Sequence, residues 1–351
     1  MRLGDIARES RETFKGDKTD VPIVGLEHLI SQELRFTDYE VNTDNTFTKS
    51  FRKGQILFGR RRAYLKKAAI AEIDGVCSGD ITVIEAIPGK VDSQLLPFII
   101  QNDRLFDFAV SRSAGGLSPR VKWEHLADYE LELPSIEEQR VLAKKLWAAY
   151  ELKEAYKKMI AAIDEMVKSQ FIEMSKAWPV MKLNGHVDII RGVSYKPSDV
   201  VSSLDANSVG ILRANNIANG EINTNEMVYV DQSRVSDAQR IRIGDIIVCA
   251  SSGSQSLVGK AAINKNLTRE YAHGAFCLLI RCNNTILPKY LNIYLQTALY
   301  RNQIESLSCG SNILNIKAGH LTSLDIPIPD IKQQSDFVTI IEQADKSKYF
   351  S

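Results

Sequence analysis

Residues Leu131–Arg140 read LELPSIEEQR, and residues Ile326–Ser335 read IPIPDIKQQS. Each is an apolar run that meets a proline and then turns into a polar stretch able to open a helix. Pro134 and Pro329 stand 195 residues apart. The same offset relates Leu131 to Ile326, Leu133 to Ile328 and Gln139 to Gln334, and upstream it relates Ser113 to Ser308, Gly115 to Gly310, Lys122 to Lys317 and the pair His125–Leu126 to His320–Leu321. Further upstream KAAI occurs at Lys67 and again at Lys260, KGQILF from Lys53 is answered by IGDIIV from Ile243, and MRL at Met1 by MKL at Met181. Offsets that change by a few residues between matching blocks are what loop insertions leave in a duplicated domain. The chain is therefore organised as domain, connector, domain, connector: 1–134, 135–176, 177–329 and 330–351.

Within each copy, short β-branched runs (VPIVGL, GQILFG, KKAAIAEI and DITVIEAI, then GDIIVCA, GKAAIN and GAFCLLIRC) are separated by Gly, Asp and charged clusters, the pattern of strands. Apolar residues then recur at three and four through Ser93–Ser113 and Pro288–Leu307, which predicts one helix in each copy. The fold class is α+β, with two homologous mixed α/β domains.

The first connector is predicted as a helix from Ser135 toward Pro179, opened by Ser135 as N-cap with Glu138 three residues on. Leu142, Leu146, Ala149, Tyr156, Ile160, Ile163 and Val167 fall at alternating steps of four and three or whole heptads, a coiled-coil seam interrupted at Lys153. The offset of 195 carries Leu142, Leu146 and Ala149 onto Phe337, Ile341 and Ala344. A helix of about 40 residues rises about 60 Å, too long and thin to be stable without a partner helix.

Length and composition bound the function. The 351 residues suit two domains, and 44% hydrophobic with 25% charged residues is ordinary for a globular chain. No run is long and apolar enough to span a membrane, and MRLGDIARES lacks a signal sequence's apolar stretch, so a cytoplasmic protein is expected. Five cysteines without a C-x-x-C pair read as reduced core residues, and no metal set is expected. GSQSLVGKAAI from Gly253 resembles a phosphate-binding loop, but five residues separate its glycines and Ala261 follows the lysine. The first copy carries the matching lysine without the glycines, so this lysine belongs to the repeat. No catalytic constellation emerges, and binding is the expected activity.

The net charge of +1 means that a polyanion partner must be held by local clusters. From Lys49 to Lys67 there are eight basic residues and no acidic one, including Arg52, Lys53, Arg60, Arg61, Arg62, Lys66 and Lys67, with Tyr64 among them. Between two predicted strands this loop can reach phosphates and base edges. Arg112, Arg120 and Lys122 fall beside the same face. The second copy offers Ser251, Ser252, Ser254, Gln255, Ser256 and Lys260, with Asn312, Asn315 and Lys317. Different loops on one framework imply different sequences read. A pure coiled-coil adaptor and a nucleotide-dependent enzyme remain rival classes, separated by duplex binding and by ATP titration.

The segments YELELPSIEEQRVLAKKL, LDIPIPDIKQQSDFVTII, GDIIVCASSGSQSLVGKAAI and SAGGLSPRVKWEHL resemble the specificity subunit of type I restriction-modification systems, across nearly the whole chain. The resemblance implies two target recognition domains held apart by helices packed as an antiparallel coiled coil, each domain reading one half of a bipartite double-stranded DNA target. It implies modification subunits that bring S-adenosylmethionine, a restriction subunit that brings ATP- and magnesium-dependent activity, and no cofactor in this chain. The second connector, running to Ser351, is about half the length of the first. That departure leaves open a type IIB-like system with a fused restriction-methylation partner, and self-association through the seam. Half-sites on one face of B-DNA lie about 34–36 Å apart, a span that a connector of about 60 Å covers.

Overall fold

The computed structural model describes the whole chain except residues 203, 204, 206, 219, 269, 309–314, 350 and 351. It falls into two compact units, Met1–Ala155 and Tyr156–Ser351. The division lies within one continuous helix, Ile136–Ser175, the first connector.

Both units are built on the same four-stranded antiparallel sheet. In the first, β1 (Ala7–Ser10), β2 (Ile56–Gly59), β3 (Ala68–Ile70) and β4 (Ile81–Ala86) lie in the order β1-β4-β2-β3. In the second, β5 (Val187–Arg191), β6 (Ile246–Cys249), β7 (Ala261–Ile263) and β8 (Cys277–Cys282) lie in the order β5-β8-β6-β7. Register repeats as well. Ile56 faces Ile84 and Ile70 in the first sheet, and Ile246 faces Ile280 and Ile263 in the second. The turn into β2 and β6 is made by Gly54 and Gly244, both at φ +89°, where a side chain would be strained. Their amides donate to Ala71 and Asn264.

The periodic run predicted as one helix is two in each copy: Leu96–Ile100 with Asp103–Ser111, and Pro288–Tyr294 with Ala298–Ser308. In the first copy, Asn102 accepts from the Arg104 amide and so starts a new helix, although the apolar period continues across the break. The side chain at each break is used by the sheet, for Gln101 and Gln296 both donate to the first carbonyl of the edge strand, Ala68 and Ala261.

The two proline junctions are built alike. Asp92 N donates to Gln139 Oε1 (3.0 Å), and Leu287 N to Gln334 Oε1 (2.8 Å). Each amide nitrogen turns back to the carbonyl of the preceding proline, Pro134 or Pro329. Both glutamines are buried. The first connector opens on the predicted reciprocal cap: Ser135 N and Oγ donate to Glu138 Oε2, and Glu138 N donates to Ser135 Oγ. The equivalent Asp330 accepts from Gln333 N at the start of the second connector, Ile331–Tyr349.

The first half of the long connector packs on the first unit, and its second half packs with the short connector in the second unit. In the first unit the buried side of the helix is Gln139, Ala143 and Tyr150, with Trp147 packed edge-on to Phe98 at 5.1 Å. Of the expected seam residues there, Leu142 (41% exposed) and Ala149 are exposed and Leu146 is half-buried. In the second unit Phe337 and Ile341 of the short connector join Val167 and Phe171 of the long one in a single core, the Phe171 and Phe337 rings 5.5 Å apart. Tyr156, Ile163 and Ala344 are half-buried and Ile160 is exposed.

Cys77, Cys249 and Cys277 are buried free thiols, and Cys282 is half-buried. Burial pushes Cys77, Cys277 and Cys282 up to about 12, a range in which a thiol is a poor nucleophile. Cys309 lies outside the described residues.

Candidate nucleic-acid interface

In the first unit, three loops meet beyond the end of the sheet. Arg60 N donates to Asp80 O, Val121 N to Arg60 O and Arg62 N to Pro119 O, so the β2–β3 loop is laced to both the turn before β4 and the Ala114–Val121 loop. Arg62 and Lys66 adopt left-handed backbone (φ 54° and 50°) around a single turn, Ala63–Leu65, which holds Arg62 and Tyr64 out to solvent.

The Asp80 carboxylate ties the side chains of this patch. Arg120 forks onto it through Nε (2.6 Å) and Nη2 (3.2 Å), and Arg61 reaches it through Nη1 (3.4 Å) while its Nη2 donates to Ser118 Oγ (3.0 Å). The hydrogen bond from Arg120, reinforced by the charges of both arginines, holds Asp80 below the usual carboxylate range and raises Arg120 in turn. Two fixed guanidinium planes on one carboxylate leave donors free for oxygen acceptors. A cavity of about 470 Å³ opens beside them, lined by Arg11, Thr13, Thr48, Lys49, Ser78 and Asp80.

The structure divides the basic residues predicted from sequence. Arg60, Arg61, Arg62 and Arg120 share this laced patch. Arg112 stacks over Phe108 at 5.3 Å, and Lys122 is exposed ahead of the next helix. Lys53 is exposed, and Arg52 pairs with Glu12. Lys66 pairs with Asp103, and Lys67 turns inward to donate to Leu26 O (2.7 Å).

The same lacing recurs in the second unit with other side chains. Ala250 N donates to Phe276 O (2.9 Å), Ser251 is bridged to Asn315, and Ile316 N donates to Ala250 O (2.7 Å). Position by position, Ala250 takes the place of Arg60, Ser251 of Arg61, Asn315 of Arg120 and Phe276 of Asp80. Ser254 and Ser256 share a hydrogen bond of 2.9 Å, Ser252 accepts from Ser254 N, and Lys260 and Lys317 are exposed. Asn312 and the Gln255 side chain lie outside what is described. Asp80 and Phe276 belong to no sequence motif. Their shared signal is position alone, each immediately before the strand ITVIEA or CLLIRC.

Two copies of one α+β unit, each leading into its own connector helix and each presenting a laced loop surface, define a duplicated module. Residues 176–349 match the family model described as the type I restriction modification DNA specificity domain. The type I restriction enzyme StySPI specificity subunit of Salmonella potsdam is 36% identical over 180 residues, and the EcoKI specificity subunit of Escherichia coli (strain K12) is 35% identical over 180. Each match covers 50% of this chain and 39% of the relative. The S subunit of the M. genitalium type I restriction-modification system shares the fold across 99% of this chain and 89% of its own, with a TM-score of 0.54 at 12% identity. The second half of the chain thus matches the type I restriction modification DNA specificity domain, and the chain covers well under half the length of these curated relatives.

Proposed function

We propose that this chain is a DNA-reading specificity subunit whose two units each recognise one half of a split duplex target, on behalf of partner subunits that modify and cleave. The observation that carries this reading is the repeated lacing of loops, arginine-rich around Asp80 in one unit and hydroxyl-, amide- and phenyl-bearing around Phe276 in the other. One backbone framework bearing unlike side chains is what two different half-sites require. Phosphate contacts from Arg60, Arg61, Arg62 and Arg120 would set position and a salt-dependent affinity, while base-edge contacts discriminate. S-adenosylmethionine, ATP and magnesium would be brought by the modification and restriction subunits, which would assemble on this chain through the connector helices.

Base-modification mapping by long-read sequencing, with the gene intact and deleted, tests the reading. Loss of one split methylation motif on deletion is the expected result. Retention of every motif while the partner subunits are expressed, with no binding of the purified assembly to duplex DNA, would overturn it.

A further inference from the structure

We propose that Phe276 is a base-contacting, specificity-determining residue of the second unit, meeting the half-site through its ring where the first unit uses an arginine pair. The inference rests on the reading that the chain binds duplex DNA. Phe276 is 69% exposed and belongs to none of the buried apolar clusters, although it directly precedes the fully buried Cys277. A lone apolar residue on a surface needs no explanation in general. Here the position supplies one.

The carbonyl of Phe276 accepts from both Ala250 N (2.9 Å) and Ser251 N (3.1 Å), so the residue that bears the ring also anchors the backbone that carries Ser251 and Ser252. The equivalent Asp80 carbonyl accepts from Arg60 N, and its side chain gathers Arg61 and Arg120. This position therefore lies at the centre of the loop surface in both copies. In the first it organises charge, and in the second it presents an exposed aromatic ring on backbone bonded to Ser251, which is in turn bridged to Asn315. Ring, hydroxyl and amide are the groups that meet a thymine methyl, a base face and the polar edges of bases. The exposed ring adds little to the fold, so its removal should spare stability.

The test uses the full chain assembled with its modification partners, and a duplex bearing the split motif identified by deletion mapping. Phe276→Ala should weaken binding to that duplex by about 10- to 100-fold, the range of one base contact. Replacing each base pair in turn should show that the variant has lost preference at one or two pairs of one half-site and kept every preference in the other. Its affinity for a duplex lacking the motif, and its thermal midpoint, should match the parent's. Phe276→Trp should bind, with tryptophan emission quenched by the motif duplex beyond any change in the parent. A Phe276→Ala assembly with unaltered affinity and preferences would overturn the proposal while leaving duplex recognition intact. Failure of the parent assembly to bind any duplex would overturn both.

Discussion

In the first unit the space between domain and connector is filled by Arg35, whose guanidinium lies 5.0 Å from the Trp147 ring and 5.6 Å from that of Tyr150 and pairs with Glu72 and Glu151. The second unit inverts this. Ile70 N donates to Leu34 O and Ile263 N to Gly220 O, so Glu221 is the counterpart of Arg35, and it pairs with Lys265, the counterpart of Glu72. Glu342 and Asp345 stand where Trp147 and Tyr150 do, and Lys289 pairs with Glu342 from the place of Gln94, whose carbonyl accepts from Trp147 Nε1. Where the first unit is closed by rings packed edge to face, the second keeps a cavity of about 1140 Å³ lined by both connector helices and the domain. Identical topology thus tolerates reversal of the paired charges in one cleft, because what the backbone requires is a pair and not a sign. The same holds beneath the sheets. Gln55 donates to Glu85 in the first unit, and Arg281 forks onto the buried Asp245 at 2.9 and 2.7 Å in the second.

That last contrast should give the largest difference between the units. Asp245→Ala strands the guanidinium of Arg281 and is expected to cost about 3–5 kcal/mol, whereas Gln55→Ala should cost about 1 kcal/mol. Urea titration of each variant checks this, and equal costs would mean that the two positions are equivalent only in drawing.

Acid should also separate the units. His273, buried with Nε2 near Ile190 O, is lowered by desolvation to about 4, while the counterpart Cys77 is a neutral buried thiol. Between about 4 and the ordinary histidine value near 6.5 the unfolded chain binds a proton that the folded chain refuses. Stability is therefore complete above about pH 6.5 and falls by about 3 kcal/mol as pH drops toward 4. The pH dependence of the urea midpoint should flatten in His273→Gln.

Arg60, Arg61 and Arg62 changed together to Ala should weaken duplex binding by about 10- to 100-fold and make the salt slope shallower by about 2 to 3, close to one for each phosphate left without its arginine. A titration from low to physiological salt reads both, and an unchanged slope would remove the loop from the interface. The smallest effect sharpens the repeat itself. Ser135→Ala and Asp330→Ala each remove one cap and should each cost about 1 kcal/mol by thermal denaturation.

The repeat, the cap at Ser135 and the glutamines after the prolines were legible in the sequence because the same side chains perform the same task twice. Arg35 and Glu221 were not, since ELRF and NGEI share no pattern and only a backbone hydrogen bond equates them. The helix breaks escaped notice because apolar periodicity runs through Gln101 and Gln296, whose amides leave the helix for the sheet. The basic cluster announced the loop surface, but charge alone did not show Lys67 turning inward or Asp80 gathering Arg61 and Arg120. Phe276 carries no motif, and its place became visible only when strand register set it against Asp80.

Gln139 and Gln334 work as latches. Each accepts from a backbone amide on one side and donates to a proline carbonyl on the other from inside a closed junction, a pair of tasks that needs a donor and an acceptor on one side chain of that length. Exchange of either for an apolar residue would leave both backbone groups buried and unanswered, so the seam between domain and helix is held closed in both halves while the loops that face outward differ.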